Sequence, residues 1–379
     1  MFFLMRRIEG HLLTPLGFLS GAMEIDGDGK VSRLAGSPVD EGQVRGSGAS
    51  IILPGFIDLH VHGGAGHDIM DGGEAAVQVA RFHAGHGTTS LAATTMTAPP
   101  GDLETAFRAL APHVPARPAG AARILGVHLE GPYINRERLG AQPEHTRPLA
   151  LKEVHFLHTI APIRLITLAP EVAANRRAIR ELRDAGIRVQ LGHTQGSYEE
   201  AEEALGLGAS GFTHLFNAMP GLHHRSPGVV GAALALAEYA EIIPDLLHVH
   251  PGAILAALRA IPRLYCVTDS TAAAGMADGN YQLGRQQVTK CLGGVRLADG
   301  TLAGSALTMD QALRNLVDVL GLGLEPASRC LSTHAAEHLG LTDRGRLTEG
   351  AWADAVVLDS DLALRGVLVE GEWLEPQAG

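Results

Sequence analysis

The clearest chemical signal in the sequence is a pair of histidines, His60 and His62, at the end of an apolar run that begins at Ile51. On a β-strand, side chains two residues apart point to the same face, so both imidazoles would lie on one side. Two imidazoles placed in this way are a ready pair of metal ligands. An isolated pair is equally compatible with histidines that face solvent or are hydrogen-bonded in a core, so the inference depends on further residues.

Other apolar runs end in side chains that can bind a metal. These residues are Glu130 in HLEGP, His193 in LGHT, His214 in THLFNAM and Asp269 in VTDS. A carboxylate or imidazole buried at such a position is either a ligand or an energetically expensive group. Nitrogen and oxygen ligands without a thiolate favour Zn, Fe or Mn in an open catalytic site rather than in a closed structural one. The predicted metal ligands are His60, His62, Glu130, His193, His214 and Asp269.

A scaffold must bring the ends of these runs together. The predicted strands are Ile51–His62, Gly87–Thr94, Arg123–Gly131, Ile163–Glu171, Ile187–His193, Gly211–Met219, Ala240–Leu247 and Leu264–Ser270. Buried strands that alternate with helical segments predict a (β/α)8 barrel, which gathers functional residues at the carboxyl ends of its strands. The alternative is a doubly wound open sheet, but no glycine-rich phosphate-binding sequence follows the first strand.

Helix boundaries are indicated by capping residues. The predicted helical segments are Asn175–Ala185, Ser197–Leu207, Ala306–Leu320 and His334–Leu339. Asn175 is a candidate N-cap of the first helix, which Gly186 would close. Ser197 and Glu200 form a candidate capping box at the start of the second. The last two segments would connect the barrel to a second unit.

The chain ends differ in pattern from the middle. Residues 1–50 and 341–379 contain short strand-like segments separated by Gly and Asp, such as Ala22–Ile25 and Ala355–Leu358. Strands at both ends that can pair with each other predict a small β-sandwich domain built from the two termini. The catalytic barrel would then occupy residues 51–340.

Composition narrows the class of protein. The chain has 379 residues, 46% of them hydrophobic, and a net charge of −11 without a basic run, which argues against a nucleic-acid partner. Its 3 cysteines are scattered, which is typical of a reducing cytoplasm. No apolar run approaches the roughly 20 residues that a membrane span requires, and the opening MFFLMRR is too short for a signal peptide. The 19 histidines favour metal chemistry, so we expect a cytoplasmic metal-dependent enzyme.

Several longer motifs resemble a known family. They are HLEGPYIN, LGHT, HLFNAMPGLHHRSPG, HVHP, VTDSTAAAG and DGTLAGSALTM, and the match runs from about Ile51 to Leu358. The pattern of an HxH pair, two later histidines and a final aspartate resembles the amidohydrolase superfamily. More narrowly, the motifs resemble the N-acetylglucosamine-6-phosphate deacetylases. The resemblance implies hydrolysis of the N-acetyl group of an amino-sugar 6-phosphate, with release of acetate and a free amine.

The resemblance also implies residue roles. Glu130, His193 and His214 match the core metal ligands, and His60 with His62 matches a pair that holds a second ion in the members that retain it. Asp269 matches the catalytic acid and base. Zn is the expected metal, with Fe or Mn as alternatives, and the implied assembly is a homodimer whose partner subunit approaches the phosphate site. The implied substrate contacts are Ala141, Gln142, Asn217, Ala218, Arg225, His248, Leu302 and Ala303.

These roles agree with the chemistry of the residues themselves. Amide hydrolysis at neutral pH requires a nucleophile better than water, and a divalent ion lowers the pKa of bound water to about 7. Asp269 can accept a proton from that water and then donate it to the leaving amine. Arg225 offers a planar fork suited to a phosphate. The loop around it, Gly221–Gly228, is also compatible with an exposed basic loop that has no ligand.

One position departs from the family. Twelve residues after Glu130, where most relatives have a histidine that is thought to polarise the acetyl carbonyl, this chain has Gln142. A glutamine amide can donate a hydrogen bond but cannot carry a positive charge. We therefore expect retained deacetylation with weaker stabilisation of the oxyanion, or an altered sugar or acyl preference.

Three alternatives follow from the same residues. The substrate could be the related N-acetylgalactosamine 6-phosphate. Another amidohydrolase, such as a cyclic amidase or a deaminase, is disfavoured because the fourth predicted strand ends in Ala169-Pro170-Glu171 and offers no lysine as a bridging ligand. A catalytically inactive barrel that serves as a scaffold is disfavoured because such proteins usually lose ligands, and this predicted set is complete.

Overall fold

Eight parallel strands surround the predicted site. The computed structural model describes residues 6–376, so residues 1–5 of the opening MFFLMRR, and with them the signal-peptide prediction, lie outside the described residues. The first six barrel strands are hydrogen-bonded in chain order and the last two pair with each other. Two backbone hydrogen bonds of 2.9 Å close the ring, from the Leu215 amide to the Glu241 carbonyl and from the Asp269 amide to the His60 carbonyl. They confirm the predicted barrel. Barrel strands one to eight are Phe56–Val61, Thr88–Thr95, Arg123–Glu130, Ile163–Leu168, Arg188–Leu191, Gly211–Phe212, Tyr239–Ile242 and Arg263–Cys266.

Helices connect the strands and cover the outside of the barrel. They pack through apolar faces, as the helix from Ala173 does with the buried side chains of Ala178, Ile179 and Leu182. The α-helices are Glu41–Val44, Ala75–Ala84, Pro100–Leu110, Leu151–Ile160, Ala173–Asp184, Tyr198–Leu207, Gly228–Leu236, Pro251–Ala260, Met309–Arg314, Leu324–Ser328 and His334–Leu339. Short 3₁₀ turns occupy Ile69–Asp71, Ala111–His113 and Arg136–Arg138, and π-turns occupy Asn315–Val319 and Arg329–Thr333. Between residues 6 and 376, no helix is long and apolar enough to cross a membrane.

The capping predictions had mixed outcomes. The capping box is confirmed, since the Glu200 amide donates to Ser197 Oγ and the Ser197 amide donates to Glu200 Oε2. Gly186 follows its helix with φ +79°, as predicted. The N-cap prediction for Asn175 is wrong, because the helix begins at Ala173. The buried Asn175 side chain instead donates to two backbone carbonyls and accepts from the Leu149 amide, which offers it more hydrogen bonds than a cap would.

The first predicted strand is two strands in the structure. Ile51–Pro54 pairs with strands of both chain ends, and Phe56–Val61 enters the barrel. Gly55 lies between them, and a Cβ there would lie 2.3 Å from Thr89, so only glycine allows this close crossing. Both halves are fully buried, and the sequence therefore shows no change of polarity at the break.

The two chain ends form one mixed seven-stranded sheet, as the prediction of a small terminal β domain requires. It has its own apolar cluster, which includes Met23, Val31 and Leu368. Arg123 of barrel strand three binds Glu370 and joins the sheet to the barrel, and Arg344 binds the same carboxylate. The division into residues 51–340 and two terminal segments stays a prediction. The strands are Arg6–Thr14, Gly17–Ile25, Val31–Pro38, Ile51–Pro54, Ala355–Leu358, Leu364–Val369 and Glu372–Leu374.

A three-stranded antiparallel sheet follows barrel strand eight and was not predicted. It comprises Gly279–Leu283, Gln286–Cys291 and Gly294–Arg296. Its buried side chains pack with Met96 and Ala303 at the carboxyl end of the barrel. The predicted helix Ala306–Leu320 begins only at Met309 and continues as a π-turn, because the chain leading to Thr308 remains extended after this sheet. A separate two-residue pairing joins Gly63–Gly64 to His67–Asp68.

Candidate active site

The predicted metal ligands meet at the carboxyl end of the barrel. His60 lies in barrel strand one and Glu130 is the last residue of strand three. The other four ligands lie one to three residues beyond the ends of strands one, five, six and eight, where a barrel places its functional groups. All six are buried, so their polar groups require partners within the protein or a bound ion.

Glu130 lies at the centre and separates two groups of imidazoles. Its Oε1 is 3.0 Å from His193 Nε2 and 3.1 Å from His214 Nε2. Its Oε2 is 3.1 Å from His62 Nε2 and 3.4 Å from His60 Nε2. One carboxylate therefore faces two potential ion sites with its two oxygens.

Asp269 completes the second group. Its Oδ1 lies 3.3 Å from His62 Nε2 and 3.5 Å from His60 Nε2. We call His60, His62 and Asp269 the HxH site, and Glu130, His193 and His214 the Glu130 site; each offers three possible ligand atoms in one cluster.

The spacing of these atoms fits a divalent ion. Neighbouring ligands at about 2.1 Å from a tetrahedral ion lie roughly 3.4 Å apart. His193 Nε2 and His214 Nε2 are 2.9 Å apart, and His60 Nε2 and His62 Nε2 are 3.2 Å apart. Two imidazole nitrogens that face each other at this distance cannot both carry a proton, but both can bind a cation. The donor set and its spacing are therefore those of a metal site.

The electrostatics of the site also favour a bound cation. Burial opposes protonation of His62, but hydrogen bonds to Asp269 and Glu130 outweigh it and raise the pKa of His62 to about 9. The same two carboxylates hold the pKa of His60 well above its ordinary value despite burial. Burial would raise the pKa of Asp269, but the charge on His60 and the hydrogen bond from His62 lower it to about 2. The ion-free site thus attracts protons to positions that a metal would take.

This charge arrangement predicts opposite pH responses for the ion-free and ion-loaded protein. A histidine whose pKa rises from 6.5 to about 9 on folding stabilises the ion-free protein below pH 6.5, and this stabilisation is lost as the pH rises through about 9. We therefore expect the melting temperature of the protein, once a chelator has removed its metal, to fall between pH 6.5 and 9. Zn²⁺-loaded protein should lack this fall, because ion binding displaces the same protons and strengthens as the pH rises. A flat profile for the chelated protein would contradict this picture.

Backbone strain is concentrated around the site. His193, His214, Ala218 and Asp269 all have positive φ, between 29° and 53°, which residues other than glycine rarely adopt. Such conformations persist only where the surroundings enforce them, and they cluster at functional sites. At Asp269 the enforcing contacts are backbone hydrogen bonds to Ser305 at 2.7 Å and to His60 at 2.9 Å.

A cavity of about 190 Å³ opens over the metal-binding atoms. It contains most of the predicted substrate contacts. Ala303 is instead buried behind its wall, where its amide donates to the Val295 carbonyl. Arg225 is exposed and outside the lining, with its guanidinium 2.7 Å from His224 Nε2. The predicted contacts that line the cavity are Ala141, Gln142, Asn217, Ala218, His248 and Leu302, and further lining residues include Met96, Leu283, Thr301 and Gly304.

Gln142 is held rigidly at both ends of its amide. Its Nε2 donates to Glu130 Oε2 at 2.6 Å, and its Oε1 accepts from the Thr97 amide at 2.7 Å. The side chain is only 4% exposed. Gln142 therefore fixes the orientation of Glu130 in addition to lining the cavity, a contact that sequence reasoning did not anticipate.

His248 is oriented by a residue that the sequence analysis missed. Asp245 Oδ2 lies 2.6 Å from His248 Nδ1, and Asp245 Oδ1 accepts the backbone amide of His248. Burial lowers the pKa of His248, but the hydrogen bond and the charge of Asp245 outweigh it and raise that pKa. The protonated form of His248 is therefore favoured, and its ring lines the cavity. Its partner three residues earlier in the same loop was the available sequence signal.

The barrel and the site define the class as a metal-dependent hydrolase, and comparisons with known proteins name its family. The family model described as Amidohydrolase family matches residues 51–374. The chain belongs to the amidohydrolase family, which confirms the resemblance found in its motifs.

Individual relatives agree with this assignment. The chain is 39% identical to the N-acetylglucosamine-6-phosphate deacetylase of Lysinibacillus sphaericus, over 91% of each chain. It is 38% identical to the N-acetylgalactosamine-6-phosphate deacetylase of Escherichia coli O157:H7, over 96% of this chain and 97% of that one. The solved N-acetylglucosamine-6-phosphate deacetylase of Thermotoga maritima superimposes with a TM-score of 0.89 at 32% identity, and covers 98% of this chain and 100% of that one.

Proposed function

We propose that this protein hydrolyses the N-acetyl group of N-acetylglucosamine 6-phosphate to glucosamine 6-phosphate and acetate. The observation that carries the proposal is Glu130 held between four imidazoles, with Asp269 beside them at the base of the cavity. The relative from Lysinibacillus sphaericus supports this substrate by name. So does a solved mutant deacetylase from Mycobacterium smegmatis in complex with N-acetyl-D-glucosamine-6-phosphate, with a TM-score of 0.88 at 32% identity, which covers 97% of this chain and 99% of that one.

In this proposal the chain holds one or two divalent ions. Glu130, His193 and His214 bind the first, and the HxH site binds the second. Zn²⁺ suits the mixed nitrogen and oxygen donors, with Fe or Mn as alternatives. When bound, the ion supplies polarisation of the acetyl carbonyl and lowers the pKa of a bound water to about 7.

Asp269 acts as the general base and then as the general acid. Its low pKa keeps it ionised at neutral pH, so it can accept the proton of the attacking water. It then donates that proton to the sugar nitrogen as the carbon–nitrogen bond breaks, and the amine leaves neutral. His248, held by Asp245 on the facing loop, offers a donor to the substrate. Asn217 and the Ala218 backbone line the same wall.

We assign recognition of the phosphate to Arg225, which is exposed and lies outside the cavity lining. Arg225 lies on the exposed loop Gly221–Gly228, and its fork can bind a phosphate that projects from the cavity. We infer a cytoplasmic homodimer in which the partner subunit approaches this phosphate site. Loss of the phosphate from the substrate should then weaken binding more than it slows the chemical step.

A second candidate is the galacto epimer, which the Escherichia coli relative favours by its name. Acetate release should be measured from N-acetylglucosamine 6-phosphate, N-acetylgalactosamine 6-phosphate and unphosphorylated N-acetylglucosamine. We expect the highest kcat/KM with the first. A higher value for the galacto epimer would transfer the assignment to that substrate, and release from none of the three would refute the proposed deacetylase.

Gln142→His tests whether this position polarises the acetyl carbonyl. A histidine can become cationic and stabilise the oxyanion better, so we expect the variant to raise turnover of N-acetylglucosamine 6-phosphate by roughly tenfold, within the range for a neighbour of a metal ligand. Gln142→Ala is the matched variant, because it removes both amide contacts and should reduce turnover. Unchanged turnover of Gln142→His across acetylated sugar phosphates would show that the position has no such role.

A further inference from the structure

A fully buried carboxylate outside the predicted ligand set lies directly behind the HxH site. Glu241 is in barrel strand seven, with 0% of its surface exposed. Its Oε2 is 3.1 Å from His60 Nδ1 and accepts the backbone amide of His214 at 3.2 Å. Its Oε1 accepts from Gln190 Nε2 at 2.6 Å and from the Tyr265 hydroxyl at 3.3 Å.

These contacts determine how His60 can act. Because Nδ1 points at a carboxylate, it carries a hydrogen and donates it, so Nε2, which lies near Glu130 and Asp269, is the nitrogen that can bind an ion. His128 packs edge-on against the same ring, with centroids 4.6 Å apart, and holds its plane. Both nitrogens of His128 are bound elsewhere, to the Leu59 carbonyl and to Thr167, so His128 is not itself a free ligand.

The charge on Glu241 has one source of compensation. Three of its four partners are neutral: the Gln190 amide, the Tyr265 hydroxyl and the backbone amide of His214. Among residues 6–376, no lysine or arginine forms an ion pair with it. A buried carboxylate without a cationic partner is costly, so Glu241 favours positive charge on or beyond the His60 ring.

We propose that Glu241 is a positioning residue that orients His60 through Nδ1 and thereby decides whether the HxH site binds a second ion. The inference rests on the proposed function, since it describes the metal centre of that reaction. Carboxylates that orient a ligating histidine change metal affinity by about 10–100-fold when removed. The Glu130 site depends on Glu241 only through one backbone hydrogen bond, so its affinity should change much less.

The test is to count ions in metal-free protein titrated with Zn²⁺ against a competing chelator. Wild type should bind two ions per chain. Glu241→Gln should bind the first ion with wild-type affinity and the second roughly 10–100-fold more weakly. Tyr265→Phe is the matched control, since it removes only the hydroxyl contacts to the other oxygen of Glu241 and to Gln190 Oε1, each 3.3 Å long, and should leave both affinities unchanged.

A stability measurement separates this role from simple packing. In metal-free protein, His60→Ala leaves the buried Glu241 carboxylate with only neutral hydrogen-bond partners, so adding Glu241→Gln to that variant should raise the melting temperature. If Glu241 served only packing, Glu241→Gln would lower the melting temperature both in wild type and in His60→Ala. That result would overturn the proposal. Equal weakening of both ions, no weakening of either, or a wild type that binds a single ion would also overturn it. No substrate enters these measurements, so their failure is distinct from failure of acetate release.

Discussion

Asp269→Asn should lower kcat for acetate release by about 10⁴-fold, the upper end of the range for loss of a general acid–base group. The amide keeps the shape of the side chain but can neither accept the proton of the water nor deliver it to the amine. The Glu130 site does not include Asp269, so the variant should still bind an ion there. The measurement is steady-state acetate release together with the ion content of the same protein sample.

Asp278→Asn provides the control for this substitution. It makes the same chemical change at an exposed aspartate beside the three-stranded sheet that follows barrel strand eight, and it should leave turnover unchanged. If Asp269→Asn retained more than about a tenth of wild-type turnover with its ion in place, general acid–base catalysis by Asp269 would be refuted.

Glu130→Gln should abolish both ion binding and turnover, with kcat/KM reduced by about 10³-fold or more because the metal contributes several kcal/mol to the transition state. Glu130 faces all four imidazoles with its two oxygens, and no other carboxylate contacts both ion sites among the described residues. A neutral amide would leave His193 and His214 without a carboxylate and would leave His60 and His62 with Asp269 alone on the cavity side.

The ion content of Glu130→Gln, measured after dialysis, checks this expectation. Glu137→Gln is the control, since Glu137 is exposed on the loop that follows strand three and has no contact with the site. Binding of an ion by Glu130→Gln with wild-type affinity would show that the centre of the site lies elsewhere.

Much of this arrangement could be predicted from the sequence because a parallel barrel has a simple rule. Residues at the carboxyl ends of its strands converge, so runs that end in Glu130, His193 and His214 were expected to meet, and they do. The terminal β unit and the capping box of Ser197 were also visible, because turn and cap residues act locally.

Other features depend on contacts between distant segments, which a single sequence does not display. The break between two strands at Gly55 has no sequence signal, because the residues on both sides of it are buried. Asn175 does not cap its helix, because its side chain forms hydrogen bonds with three backbone groups in the interior. The sheet that contributes Leu283 to the cavity has exposed and polar strands with no strong alternation. Nothing in the sequence around Glu241 distinguishes it from other strand residues, and its contact with His60 is visible only in the structure.

The most direct measurement is the paired yield of acetate and glucosamine 6-phosphate from N-acetylglucosamine 6-phosphate, before and after removal of the metal. We expect the two products in equal amounts from ion-loaded protein, almost none after chelation, and recovery when Zn²⁺ is restored. Full turnover by protein shown to be metal-free, or no product from protein shown to hold its ions, would contradict a metal-dependent deacetylase.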